Sequence, residues 1–481
     1  MHYRTGQGEK IPFIFPAHSF SFAANDGSQY SLSSDERLLL ISKSLIQFNM
    51  TSPATSAPAL APTATNKNYV YVISVLGILF FVFGFVTWLN GTLIPFLKLV
   101  CQLKGDVQPF LVTFSFYMAY FFLAIPSSMI LKRTGYKKGM ALGLLVMAVG
   151  SLIFIPAANT RTFGLFLAGL FTQGMGMSLI QTAVNPYVSI VGPIESAARR
   201  MSIMGICNKV AGFLSPIILS ALLLKNANKL EASIGSARSQ AEKNTLLSEL
   251  SQKIISPYIV LAVILCILAV LIYLSSLPEI ENQPAETGAG HTAKTSVFQF
   301  PHLMLGMLCL FLYVGAEVMA GDAIGMYGKA IGLPLDETKL FTSFTLFFML
   351  VGYIIGIITI PKYLSQQAAL KYSAILGILL SLLVFLTNGY TSIVCIAFMG
   401  LANALMWPAI WPLALKNLGG FTQIAAALLI MGIAGGAVLP LLYGYLKGAP
   451  FHLSNHLSFL LCMLPSYLYI LYYAVKGNLA K

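Results

Sequence analysis

Charge is scarce in this chain. Asp, Glu, Lys and Arg make up 9% of its 481 residues, and the acids are the rarer sign, 16 against 29 bases. Soluble domains carry about 25% charged residues. With 57% of residues hydrophobic and a mean hydropathy of +0.79, the composition excludes an ordinary soluble protein and describes a polytopic membrane protein. Cysteine is thin as well. Cys101, Cys207, Cys266, Cys309, Cys395 and Cys462 are scattered, with no CxxC pair and no clustering with histidine, which argues against a zinc site and against a disulfide framework. The histidines lie in tails, loops or at the ends of apolar runs, so neither an HExxH-like centre nor a histidine proton relay has a place in the membrane. No nucleophile–base pair stands in those runs either, and the chain is expected to be neither an enzyme nor the carrier of a cofactor.

What is abundant is apolar sequence of membrane-spanning length. Twelve runs are predicted as helices, at about 70–91, 109–131, 139–157, 162–191, 202–224, 256–277, 299–328, 339–360, 371–388, 390–414, 422–446 and 456–475. They divide into an N-terminal six-helix bundle over 69–277 and a C-terminal one over 299–476, joined by a polar, Pro/Gly-bearing linker at 278–298. Residues 1–68 read as a disordered leader, and their low-complexity end, 50–66, suggests a true start at Met50. The net charge of +13 follows topology: Lys67, Lys132, Arg133, Lys137, Lys138, Arg199, Arg200, Lys294, Lys362, Lys371, Lys416, Lys476 and Lys481 lie on one side, thirteen in all, whereas the short loops opposite hold six, Lys98, Lys104, Arg161, Lys329, Lys339 and Lys447. The positive-inside rule then puts both termini and the linker in the cytoplasm, and the basic balance calls for a lipid bilayer rather than a nucleic acid.

Polar residues inside such runs are costly, which makes them candidate functional groups. Gln181 and Asn185 lie one turn apart on an otherwise apolar helix, so they share a face. Asn90, Asn208 and Asn403 add further amides, and the three tryptophans, Trp88, Trp407 and Trp411, fall in spans 1 and 10. Amides with an aromatic platform suit a ligand that has several hydroxyls and one apolar face. Asn403, Trp407 and Trp411 are spaced as one helical stripe, although a tryptophan near a span end, Trp411 above all, also fits an anchor at the membrane interface. The bland alternative for the amides is hydrogen-bonding glue between helices. Glu317 and Asp322, in span 7, are the two carboxylates well inside a predicted span, and Lys209 is the deep cation. Burial disfavours a lone charge, so Lys209 is expected to pair with one of them, and at least one carboxylate is expected to take part in ion coupling.

The halves echo each other. Gln181-x3-Asn185-Pro186 in span 4 aligns with Asn403-x3-Trp407-Pro408 in span 10, and Ile203-Met-Gly-Ile206 in span 5 recurs as Ile430-Met-Gly-Ile433 in span 11. A third alignment, between spans 1 and 7, sets Gly91 against Asp322. Such repeats place a site between duplicated bundles near the midplane.

Phe83-Gly-Phe-Val-Thr-Trp-Leu-Asn90-Gly-Thr-Leu-Ile-Pro95, Gln181-Thr-Ala-Val-Asn-Pro186, Gly192-Pro-Ile-Glu-Ser-Ala-Ala-Arg-Arg200, Met204-Gly-Ile-Cys-Asn-Lys209 and Asn403-Ala-Leu-Met-Trp-Pro-Ala-Ile-Trp-Pro412 together resemble the major facilitator superfamily. Within it, the chain is similar to the branch of the L-fucose:proton symporter and the bacterial glucose/galactose transporters. The resemblance covers roughly 69–476. It implies an all-α fold of two pseudo-symmetric six-helix bundles, in a monomer of the cytoplasmic membrane. It also implies import of a glucose- or galactose-like hexose by alternating access, coupled to a proton or sodium. An uncoupled facilitator and an exporter of small organic molecules are the alternatives. The fucose symporter carries an Asp after the span 1 Asn and a Glu in span 4, where this chain has Gly91 and Gln181. Neither can take up a proton, so the familiar coupling residues do not carry over.

Overall fold

In hydrocarbon every backbone N–H and C=O has to be paired within its own segment, so apolar runs of this length become helices. The computed structural model describes residues 66–191, 197–277, 296–360, 362–418 and 421–480. The leader up to residue 65, the Met50 start, linker residues 278–295 and residues 192–196 of the quoted motif lie outside them.

Among the described residues, twelve helices are long and apolar enough to cross a membrane. They are span 1 (Tyr69–Val100), span 2 (Gln108–Thr134), span 3 (Tyr136–Thr160), span 4 (Phe163–Val188), span 5 (Arg200–Leu223), span 6 (Ile255–Leu274), span 7 (Pro301–Gly321), span 8 (Leu335–Thr359), span 9 (Gln366–Leu386), span 10 (Gly389–Ala414), span 11 (Ile424–Lys447) and span 12 (Asn455–Leu479). Several are interrupted. Span 1 breaks at Leu89, between helices Asn66–Trp88 and Asn90–Val100, and therefore runs well past the expected end at residue 91. Span 7 breaks after Gly321 and resumes as Ile324–Ala330, span 10 breaks at Leu405, and span 11 tightens through a 3-10 turn at Gly432–Ala434. The stretch between spans 5 and 6, expected as a loop, contains two helices, Ala227–Gly235 and Gln240–Gln252. Ser239 caps the second by accepting from the Glu242 amide.

Spans 1–6 and spans 7–12 form the two bundles. Within each, glycine allows close backbone approach: a Cβ on Gly84 of span 1 would run into the Asn208 carbonyl of span 5, and one on Gly435 of span 11 into the Phe311 carbonyl of span 7. The bundles meet along spans 5 and 8, where Ser343 donates to the Phe213 carbonyl (2.9 Å) and Gly205 receives the ring of Tyr353. They meet again along spans 2 and 11, where Tyr117 lies on Gly436. The loops after odd-numbered spans share one end of the molecule. There Lys447 pairs with Asp106 (3.2 Å) and Lys329 with Glu231 (2.6 Å), so this odd-loop end is held shut between the halves.

Candidate binding and coupling site between the halves

The breaks of spans 1 and 7 face each other. Asp322 stands at the first position past helix Pro301–Gly321, and its own N–H returns to the Val318 carbonyl (2.7 Å). Span 8 occupies the carbonyls just before the break. Thr342 donates to Gly321 O (2.9 Å) and Thr345 to Ala320 O (2.7 Å). Opposite, Gly91 is pressed against Thr342 so closely that a Cβ there would collide with its side chain. The Gly91 N–H is turned toward the Asp322 carboxylate without reaching hydrogen-bond geometry, so both carboxylate oxygens are buried with no hydrogen bond. The two positions paired by the internal repeat thus sit side by side.

Lys209, from span 5, crosses the seam to Glu317 of span 7 at 2.8 Å, with both side chains buried. The Lys209 ammonium also lies over the Trp88 indole, 4.5 Å from the ring centroid, a cation–π contact in a dry setting. Trp88 is 2% exposed and wedged into notches left by Gly212 of span 5 and Gly321 of span 7. It is therefore an interior residue at the seam and not an interfacial anchor. Tyr313, one turn before Glu317, directs its hydroxyl at the same carboxylate.

The amides divide. Gln181 donates to the Tyr120 hydroxyl of span 2 (3.1 Å), and the Tyr120 ring stacks on Tyr117, which lies within electrostatic reach of both Asp322 and Glu317. Asn185 is buried one turn further along span 4. Asn90 is buried at the break of span 1, and neither end of its amide has a hydrogen-bond partner. Asn403 accepts from Tyr467 of span 12 (2.9 Å) and leaves its amide nitrogen without a partner. Asn208 donates its side chain to Phe80 O of span 1 (3.4 Å), a contact inside the first bundle.

Trp407 and Trp411 stack at 5.5 Å with an 18° interplanar angle. Because span 10 breaks at Leu405, Asn403 does not continue their stripe on one uninterrupted helix. Trp411 is 2% exposed, so burial overrides the expectation of a membrane-interface anchor. The tyrosines around the carboxylates, Tyr117, Tyr120, Tyr313 and Tyr353, escaped the sequence reading. Of these only Tyr313 carried a signal, its helical spacing at i−4 from Glu317; the other three stand on spans 2 and 8.

The model of the Major Facilitator Superfamily matches residues 76–440. The chain belongs to that superfamily. Among similar proteins, the "Glucose/galactose transporter" of Brucella abortus biovar 1 (strain 9-941) is 34% identical over 432 residues, 89% of this chain and 99% of that protein. The "L-fucose-proton symporter" of Escherichia coli (strain K12) is 24% identical over 389 residues, covering 80% and 88% respectively. A crystal structure of a major facilitator superfamily transporter, FucP, in the outward conformation, superposes with a TM-score of 0.66 at 23% identity, covering 84% of this chain and 99% of that one. At that identity the likeness speaks to the fold.

Proposed function

We propose that this chain carries a glucose- or galactose-like hexose across the cytoplasmic membrane in symport with a proton, and that Asp322 carries the proton. The reading takes its cargo from the relatives named above. Its chemistry comes from the interior, where Asn90, Gln181, Asn185 and Asn403 offer amides, and Trp88, Trp407 and Trp411 offer apolar ring faces. These are the two kinds of surface that a hexose presents in reverse. Import fits the basic side of the chain facing the cytoplasm, which sets the odd-loop end outside.

The observation that carries the coupling is the surroundings of Asp322. An ionised carboxylate in a dry interior costs several kcal/mol unless donors or a cation face it, and both oxygens of Asp322 are without a hydrogen bond. A proton meets the need by itself. Sodium would require several oxygens, usually carbonyls of an unwound helix, and those freed beside Asp322, Ala320 O and Gly321 O, already accept from threonines. Glu317 is neutralised by Lys209. In this assignment it holds the halves in register and enters coupling through Lys209, which is within electrostatic reach of Asp322 as well.

Proteoliposomes test the reading. Labelled glucose or galactose should accumulate under an imposed proton gradient and not under a sodium gradient. Asp322→Asn should abolish accumulation while sparing counterflow. Counterflow indifferent to either gradient would make the protein a facilitator; accumulation driven by sodium would move the coupling away from a bare carboxylate.

A further inference from the structure

At the odd-loop end the helix Ala227–Gly235 starts without a cap of its own. Its N-cap residue, Asn226, is in the left-handed conformation (φ 55°) and makes no side-chain cap hydrogen bond. The first N–H groups of a helix need acceptors and carry partial positive charge. Here the acceptor arrives from the other bundle. The Asp336 carboxylate takes the Ala227 N–H on one oxygen (2.8 Å) and the Asn228 N–H on the other (3.1 Å). The exchange is reciprocal: Asp336 is the second residue of the short helix Leu335–Thr338, which also lacks a side-chain cap, and its N–H donates to the Asn228 side-chain oxygen (3.2 Å). Lys339 completes the joint, bonded to Asp336 (2.8 Å) and to the Leu224 carbonyl at the end of span 5 (2.8 Å).

We infer that Asp336 is a gating residue, a latch that closes the odd-loop end by capping a helix of the opposite bundle. This rests on the transport reading, since rocking of the bundles about a central site requires that end to open. Two helix starts that each take their cap from across the seam are satisfied only while the bundles touch. On opening, all three of these hydrogen bonds break together, which gives the closed state a definite geometry. Charge-assisted hydrogen bonds are the stronger kind, so the latch sets the balance between the conformations open to either side.

The test uses the full chain in vesicles of known orientation, with hydrogen exchange on the same purified protein. Asp336→Asn and Asn228→Ala, which cut the joint from opposite sides, should each speed exchange over residues 224–235. Each should lower the KM for sugar presented at the odd-loop end and raise it at the other end: Asp336→Asn, which removes the charge, should shift their ratio about tenfold, and Asn228→Ala, which removes only the neutral bond from the Asp336 N–H, about threefold. Asp336→Glu, which keeps the charge, should shift it less. Faster exchange with KM changed equally on both sides, or on neither, would make Asp336 a loop staple and overturn the gate. If the unaltered protein moves no sugar, the transport reading fails and exchange alone decides. Faster exchange reaching residues 209–213 and 342–346 along the seam supports the latch; a rise confined to 224–235 overturns it.

Discussion

An ammonium taken out of water costs several kcal/mol unless an anion faces it, and removing one partner of a buried pair strands the other. Lys209 and Glu317 are in that position, each supplied by a different bundle. Lys209→Met should therefore destabilise the protein by about 3–5 kcal/mol, visible as a lower melting temperature in detergent. Lys209→Met combined with Glu317→Leu should recover most of the loss, since well-packed apolar residues often replace a buried pair at little cost. A single variant that melts like the parent would show that the pair is not held together in the membrane. Trp88 shares this site but is fixed differently, by the absence of side chains at Gly212 and Gly321.

At the scale of the element, the break in span 7 is stabilised from outside. Thr345 and Thr342 hold the carbonyls of Ala320 and Gly321. Thr345→Val keeps the shape but leaves a buried carbonyl without a partner, a loss of about 1–3 kcal/mol. Thr345→Ser should be close to neutral, and thermal unfolding of the two variants distinguishes a lost hydrogen bond from a packing defect. The helices themselves were legible in the sequence, because length and hydropathy suffice to define a membrane span. The breaks were harder to read. Gly321 stands at the one in span 7, and Pro408, which lacks the N–H that would bond the Ala404 carbonyl, stands just past the one in span 10, but Leu89 carries no such mark. Likewise the charged residues of the site stood out against an apolar background, whereas Tyr117 and Tyr353 are ordinary membrane residues until folding brings them to the seam. Asn208 shows the opposite case: an amide conspicuous in the sequence is engaged with Phe80 O of its own bundle.

At the scale of the whole molecule, two bundles share one seam, with the latch at the odd-loop end and the carboxylates deeper along it. All three indoles of the chain belong to that interior rather than to its lipid-facing rim. Trp407 and Trp411 are nearly parallel at 5.5 Å, close enough for their electronic transitions to couple. The unlabelled protein should accordingly show an exciton couplet in its circular dichroism that Trp407→Phe removes, while Trp88, beneath the Lys209 ammonium, contributes a separate emission tuned by that charge. If a hexose enters between the bundles, the two signals should respond independently, giving an optical readout of occupancy and of charge from native chromophores.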